Sequence, residues 1–259
     1  MIAEHGLTTE QRRVADQVLV QEGERRRHLV VALSGAHAYG FPSPDSDLDL
    51  KAVHVAPASR LLGLQRVEPT AERMEVIDGV EIDYSSNEIL PVLQGVLAGN
   101  GNFIERILGA RLLEKSAELA DLAPLVQRAL TKRVYRHYQG FATSQRREME
   151  KTPAPAAKRV LYVLRTALTG AHLLDTGRVV ADLSLLIDDY GFGEARALID
   201  QKRKGERTPL DAGAVERWRG AVDRAFETLD RSFARSTLPE AAEGAELEAW
   251  LLELRRRSW

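Results

Sequence analysis

Cysteine is absent from the 259 residues, and this absence excludes disulfide bonds, zinc–thiolate centres and thiol catalysis. No apolar run reaches membrane-spanning length, and the chain becomes polar within its first few residues, so we expect neither a signal peptide nor a membrane segment. Neither sign of charge dominates, since 36 basic residues stand against 38 acidic ones and give a formal net charge of −2. This balance argues against coating of nucleic acid by bulk attraction, and we expect a cytoplasmic protein.

Two common phosphate-binding motifs are also missing. No Gly-Lys-Ser/Thr follows the glycines at 35 and 40, so the chain has no Walker loop, and it has no dinucleotide-binding fingerprint. The composition is otherwise that of an ordinary globular protein, with 44% hydrophobic and 29% charged residues. A chain of this length can form one large domain or two modest ones, each with its own core.

Three segments in the first half of the chain predict β-strands. Residues 29–33 are continuously apolar, which favours a central strand covered on both faces. Residues 48–55 and 80–84 alternate between apolar and polar side chains, as strands with one polar face do. A helix beginning near Thr8 precedes the first strand, and a helix carrying residues 89–96 follows the third.

Helical patterns take over beyond about residue 103. They predict helices over about 120–148, 156–176, 181–190, 211–235 and 245–257, and an exposed loop over 201–208. Residues 60–75 fit either a short helix or a loop. The predicted fold class is α/β (α+β), with a small mixed sheet and flanking helices over residues 1–110 and an all-helical domain over 111–259.

The most informative stretch of the sequence joins a small-residue turn to a pair of acidic residues. The turn spans residues 34–40, includes Gly35, and follows the first strand; Asp47 and Asp49 come about ten residues later. Two aspartates at this spacing in a strand point to the same face. Phosphoryl and nucleotidyl transfer require such a turn, which phosphate oxygens can approach, beside carboxylates that hold a divalent metal. His37 and Tyr39 lie within the turn and are candidates for ligand contact.

A third carboxylate, Asp83, lies on the third predicted strand among apolar neighbours. If that strand lies beside the second, Asp83 meets Asp47 and Asp49 on one polar face, where two Mg²⁺ ions (or Mn²⁺) could bind together with a nucleoside triphosphate. A second interpretation of Asp47 stays open, because Asp45-Ser46-Asp47 also has the composition of a turn.

These features together resemble the nucleotidyltransferase superfamily of DNA polymerase beta. The closest resemblance is to a predicted bacterial subfamily associated with RNA repair, carried by residues 34–49 and by the helical stretch from Lys158 to Leu174, and it covers most of residues 28–190. The resemblance implies transfer of a nucleoside monophosphate from a nucleoside triphosphate to an acceptor hydroxyl, with release of pyrophosphate. It implies that Asp47, Asp49 and Asp83 are the catalytic metal ligands.

The resemblance also implies a set of nucleotide-binding residues. Ser34, Gly35, Ala36, His37 and Tyr39 would surround the phosphates, and Gly35 would allow their close approach. The superfamily turn reads Gly-Ser, whereas here the matching pair is Gly35-Ala36, so one hydroxyl contact to phosphate is missing. Its loss would weaken binding by about the 0.5–1.5 kcal/mol of a neutral hydrogen bond.

A basic helical face is the last candidate element. Lys158 and Arg165 are seven residues apart on one predicted helix, with Tyr162 between them on the same face. By the resemblance, these cations would neutralise the triphosphate and Tyr162 would stack on the base. The other interpretation is an amphipathic helix whose charged side faces water.

The identity of the acceptor stays open. An RNA end is the leading expectation, and a small molecule or a protein partner is the alternative within the enzyme class. A catalytically weak module that only binds nucleotide is the second class, and Ala36 is the residue that favours it. The sequence specifies neither the nucleotide nor the oligomeric state.

Overall fold

The computed structural model describes residues 6–64, 67–203, 210 and 212–259. The helices are α1 (Thr9–Arg25), α2 (Gly35–Tyr39), α3 (Ala58–Leu62), α4 (Ile89–Leu97), α5 (Gly101–Leu108), α6 (Glu118–Arg128), α7 (Val134–Glu150), α8 (Ala157–Thr176), α9 (Ala195–Arg203), α10 (Ala212–Arg235) and α11 (Ala245–Arg257). The strands are β1 (Arg27–Leu33), β2 (Leu48–Val55), β3 (Thr70–Ile77), β4 (Val80–Glu88) and β5 (Leu112–Lys115).

The chain divides into two compact units. The sheet unit is built from the described residues of Met1–His37, Asp47–Leu130 and Ala242–Trp259, and the helical unit from those of Ala38–Ser46 and Thr131–Ala241. Both units are therefore discontinuous in sequence. The short segment 38–46 belongs by its contacts to the helical unit, although the residues before and after it in the sequence belong to the sheet unit.

The five strands of the sheet unit form one mixed sheet in the order β3-β4-β2-β1-β5. Only β2 and β4 are parallel; the other neighbours are antiparallel. One face of the sheet is apolar, since Leu48, Leu50 and Ile82 are fully buried, and α1 contacts β1, β2 and β4. The opposite face carries Asp49, Lys51 and Asp83, because successive side chains alternate between the two faces.

The predicted fold class is confirmed, and so are three of its strands. Two further strands were not predicted. Strand β3 lies in the segment that fitted a helix or a loop, and β5 lies beyond residue 103, where strands were expected to end. Strand β3 is at the edge of the sheet and carries charged residues, as edge strands commonly do, which obscures its pattern. Strand β5 has four residues, too few to establish a period.

The helical unit is built around α8, which is buried along most of its length and packs against α7 and α10. Gly170 permits the close approach of α7, since a Cβ there would lie 2.5 Å from Tyr138 Cβ. The predicted helices over 156–176 and 245–257 are confirmed, and α10 is described from Ala212.

Three helical predictions were wrong in detail. The single helix over 120–148 is two helices, α6 and α7. The stretch 181–190 contains a short 3₁₀ helix, Leu183–Leu185. Helix α9 extends into the predicted loop over 201–208, whose residues 204–208 lie outside the described residues. In the part of the chain that is described, no helix combines the length and apolar character needed to cross a membrane.

Candidate active site

The predicted glycine turn after β1 is the short helix α2, and its first residue, Gly35, lies directly against the Asp49 carboxylate. Gly35 has a φ of +57°, and a Cβ at this position would overlap Asp49 Oδ2. The backbone N–H of Ser34 donates to the Asp49 backbone carbonyl at 2.9 Å. Glycine is required here twice, because the backbone is left-handed and because the carboxylate fills the space of a side chain. The turn and the second aspartate of the Asp-x-Asp pair are therefore adjacent in space.

Asp49 and Asp83 face each other across two parallel strands. They are paired in the register of β2 and β4, and their side chains are 24% and 40% exposed. Lys51 lies two residues further along β2 on the same face, with its Nζ 2.8 Å from Asp83 Oδ1 and 3.9 Å from Asp49 Oδ1. The same ammonium donates to the Asp83 backbone carbonyl at 3.3 Å. The two carboxylates thus share one cation.

Lys51 was not among the residues singled out from the sequence. The signal was available, since the period-two argument that placed Asp47 and Asp49 on one face places Lys51 there too.

Asp47 is the residue immediately before β2 and is partly buried. Within the described ranges, no group of three or more His, Cys, Asp or Glu side chains is arranged to hold a metal ion. What these residues present instead is the pair of Asp49 and Asp83 around Lys51.

The carboxylate pair fits a divalent cation by its chemistry. Aspartate oxygens are hard ligands, and Mg²⁺ is commonly held by one or two carboxylates completed by substrate phosphates and water. The ammonium of Lys51 is a stand-in cation on the same oxygens, which demonstrates that positive charge is held at this point. Asp49 and Asp83 are the residues that would hold the ion, and the predicted role of Asp47 as a metal ligand stays a prediction.

The segment between the turn and Asp47 is held by an aromatic cluster in the helical unit. The Arg165 guanidinium carbon lies 3.6 Å from the centre of the Tyr39 ring, a cation–π contact, and Arg165 is 1% exposed. Tyr162 makes edge contacts with both Tyr39 and Phe41, each at 5.7 Å between ring centres. Lys158 Nζ lies 5.9 Å from the Tyr162 ring centre.

A buried lysine holds the second half of the same segment. Lys202 of α9 is fully buried, and its Nζ donates to Ser43 Oγ at 2.5 Å and to Ser46 Oγ at 2.7 Å. Gly40, with a φ of +86°, leaves room for the Asp182 carboxylate. The residues that lead into Asp47 are therefore fixed by side chains of the helical unit.

The structure brings three of the predicted nucleotide-binding residues together. Tyr39, Tyr162 and Arg165 form the single cluster just described. His37 is 3% exposed, and its Nε2 lies 3.4 Å from Gln11 Nε2 of α1. Ala36 is likewise buried. Their assignment to nucleotide binding stays a prediction.

The far end of the same strands is built differently. A cavity of about 800 Å³ opens there, lined among others by Arg26, His28 and His54. The ring Nδ1 of His54 lies 2.8 Å from Ser86 Oγ, and burial lowers the pKa of His54 to about 4, so this ring is neutral near pH 7.

Glu22 of α1 is almost completely buried. Its carboxylate pairs with Arg25, Arg26 and Arg73. Burial acts to raise the pKa of Glu22, but the hydrogen bonds from Arg26 and Arg73 outweigh it and hold the pKa below its usual value. Two of the three consecutive arginines at 25–27 are thus engaged by Glu22, and Arg27 pairs with Glu118.

A small mixed sheet whose central strands present paired aspartates beside a glycine turn, followed by helices, places the chain in the nucleotidyltransferase-like class of α/β proteins. More particularly, the chain belongs to the RNA repair pathway DNA polymerase beta family (RlaP), whose family model matches residues 12–253. The resemblance expected from the sequence is confirmed.

Two individual proteins are similar to the chain. Uncharacterized protein MJ0002 of Methanocaldococcus jannaschii is 28% identical over 226 residues, covering 85% of this chain and 91% of the archaeal protein. A nucleotidyltransferase-like protein from Exiguobacterium sibiricum, known from a crystal structure, matches over 95% of this chain and 79% of its own, with 9% identity and a TM-score of 0.34.

Proposed function

We propose that the protein is a divalent-metal-dependent nucleotidyltransferase that transfers a nucleoside monophosphate from a nucleoside triphosphate to an acceptor hydroxyl. One observation carries the proposal: Gly35 lies directly against the Asp49 carboxylate, which stands opposite Asp83 in register on the neighbouring strand. Membership of a polymerase beta family supports the same reaction class.

The reaction requires one bond to form and one to break. The acceptor oxygen bonds to the α-phosphorus, and the bond from that phosphorus to the oxygen bridging to the β-phosphate breaks, so that pyrophosphate leaves. Mg²⁺, when bound, supplies charge neutralisation at the phosphates. Asp83, the more exposed of the pair, takes the proton of the acceptor hydroxyl and passes it to solvent.

The turn and the carboxylates have distinct tasks in this proposal. Asp49 and Asp83 hold the metal, with Asp47 as a further proposed ligand, and the absence of a side chain at Gly35 leaves room for the Asp49 carboxylate. The backbone bond from Ser34 keeps Asp49 in place as charge develops. An RNA end is the proposed acceptor, supported by the RNA repair pathway in the family's description.

The test is label transfer with matched variants. The protein is incubated with each α-³²P-labelled nucleoside triphosphate, Mg²⁺ or Mn²⁺, and total RNA. Asp49→Asn is expected to lower the rate at least about 10³-fold, since loss of metal-assisted charge stabilisation amounts to several kcal/mol. Asp78→Asn is the control, because it makes the same change in the exposed β3–β4 turn.

Each outcome has a defined meaning. Label in RNA with wild type and Asp78→Asn, but not with Asp49→Asn, supports the proposal. Label found in protein or in a small molecule would mean that the acceptor is not RNA, while the proposed nucleotidyl transfer would still be supported. Transfer that survives Asp49→Asn contradicts the metal assignment, and nucleotide binding with no transfer to any acceptor favours a binding module.

A further inference from the structure

Lys51 is a basic side chain that lies between the two opposed carboxylates. Its side chain is 17% exposed, and its ammonium is within 4 Å of both Asp49 and Asp83. Two aspartates opposite each other on adjacent strands repel, and Lys51 relieves that repulsion.

A divalent cation on the same oxygens would meet this ammonium. With Lys51 Nζ 2.8 Å from Asp83 Oδ1, a doubly charged ion cannot share that oxygen without strong repulsion. The four-carbon stem of lysine is flexible enough for the ammonium to leave. Opposite Lys51 in the β2–β4 register stands Ser85, a neutral residue, so the strand pairing offers no second carboxylate there.

We propose that Lys51 is an internal counter-ion that competes with the divalent cation for Asp49 and Asp83 and is displaced when the ion binds. This inference rests on the proposed function, because it requires the carboxylate pair to be a metal site. Competition of this kind is reciprocal: the cation weakens the hold of Lys51 on the carboxylates as much as Lys51 weakens the cation. The displaced ammonium becomes available to an anionic substrate.

The experiment measures Mn²⁺ affinity without nucleotide, by the electron paramagnetic resonance signal of free Mn²⁺. Lys51→Met keeps the aliphatic stem and removes the charge, and its affinity is expected to rise about fivefold to tenfold over wild type, the range of a partly exposed ion pair. Lys51→Arg keeps the charge and is expected to bind like wild type. Lys115→Met, an exposed lysine on β5 of the same sheet, is the control and should change nothing.

Thermal unfolding gives a second measurement on the same proteins. Without metal, Lys51→Met should unfold at a lower temperature than wild type, because the carboxylates lose their counter-ion. Mn²⁺ should raise the Tm of Lys51→Met by more than it raises that of wild type.

The failure of this inference can be told apart from the failure of the proposed function. If Lys51→Met binds Mn²⁺ no more tightly than wild type, the proposed competition is wrong. If Asp83→Asn also loses Mn²⁺ binding, the proposed metal site is still supported. Mn²⁺ binding that no carboxylate substitution affects overturns the metal site and the competition together. Tighter binding by Lys51→Met that disappears in Lys51→Met/Asp83→Asn supports both.

Discussion

The two ends of the central sheet treat their carboxylates in opposite ways. At one end, Glu22 and Glu88 have side chains only 2% and 4% exposed; Glu22 pairs with three arginines, and Glu88 with one arginine and two backbone N–H donors. At the other end, Asp49 and Asp83 are open to solvent and share Lys51. The comparison suggests a distinction between two kinds of carboxylate. A buried carboxylate whose hydrogen bonds are all satisfied stabilises the fold, whereas partly exposed carboxylates that share one cation are candidates for ligand binding.

The largest expected effect is a difference in the free energy of unfolding between a substitution at one end of the sheet and a substitution at the other. Glu22→Gln should lower the free energy of unfolding by about 3 kcal/mol, since it breaks a buried ion pair and leaves its arginine partners unneutralised. Asp83→Asn should change it by less than about 1 kcal/mol, because the side chain is 40% exposed. Urea unfolding of both variants provides the measurement. Equal losses at the two ends would break the comparison.

A smaller effect is expected from pH at the closed end. Burial lowers the pKa of His54 to about 4 from its usual 6.5, opposed by the charge of Glu88 and assisted by those of Arg26, His28 and Arg255. The unfolded chain therefore takes up the proton first as the pH falls. The stability is complete above pH 6.5 and declines by about 2 kcal/mol as the pH falls to 4.

Unfolding free energies measured across that range check the prediction, with His54→Gln as the comparison. The variant should show a shallower pH dependence between pH 6.5 and 4. Parallel curves for the two proteins would mean that His54 does not contribute.

The smallest effect on stability, and the sharpest test of the open end, comes from Gly35→Ala. A positive φ costs alanine about 1 kcal/mol relative to glycine. The added methyl group would also displace the Asp49 carboxylate. Gly79→Ala is the matched control, because Gly79 has a φ of +80° and no neighbour within 4 Å of its Cβ position. Both variants should lose similar stability, and only Gly35→Ala should lose Mn²⁺ affinity and transfer activity. If both keep their activity, the contact between the turn and Asp49 has no functional role.

Much of the sheet unit could be predicted from the sequence because its central strands follow simple patterns. Strands β1, β2 and β4 carry either continuous or alternating apolar residues, and the positions of Asp49 and Asp83 follow from that alternation. The pairing of β2 with β4 did not follow from the sequence. This pairing depends on the hairpin of β3 and β4, which places β4 beside β2. Because β3 is a charged edge strand without a clear apolar pattern, the sequence does not predict that hairpin.

The remaining differences have local causes. The break between α6 and α7 covers residues 129–133, which contain neither glycine nor proline to indicate it. Charge and spacing predict that Arg165 and Tyr162 face a ligand, and that assignment stays a prediction. Packing against Tyr39 is a tertiary contact that no local pattern encodes.

The course of the chain through residues 38–46 affects whether the two units can be separated or exchanged in evolution. The polypeptide passes from the sheet unit into the helical unit after His37 and returns at Asp47, and Lys202 fastens the excursion through Ser43 and Ser46. A gene shortened to the residues of the sheet unit would leave segment 38–46 without its contacts to the helical unit, immediately before Asp47. The helical unit is therefore not an exchangeable appendage, and recombination that swaps it must carry a compatible excursion with it.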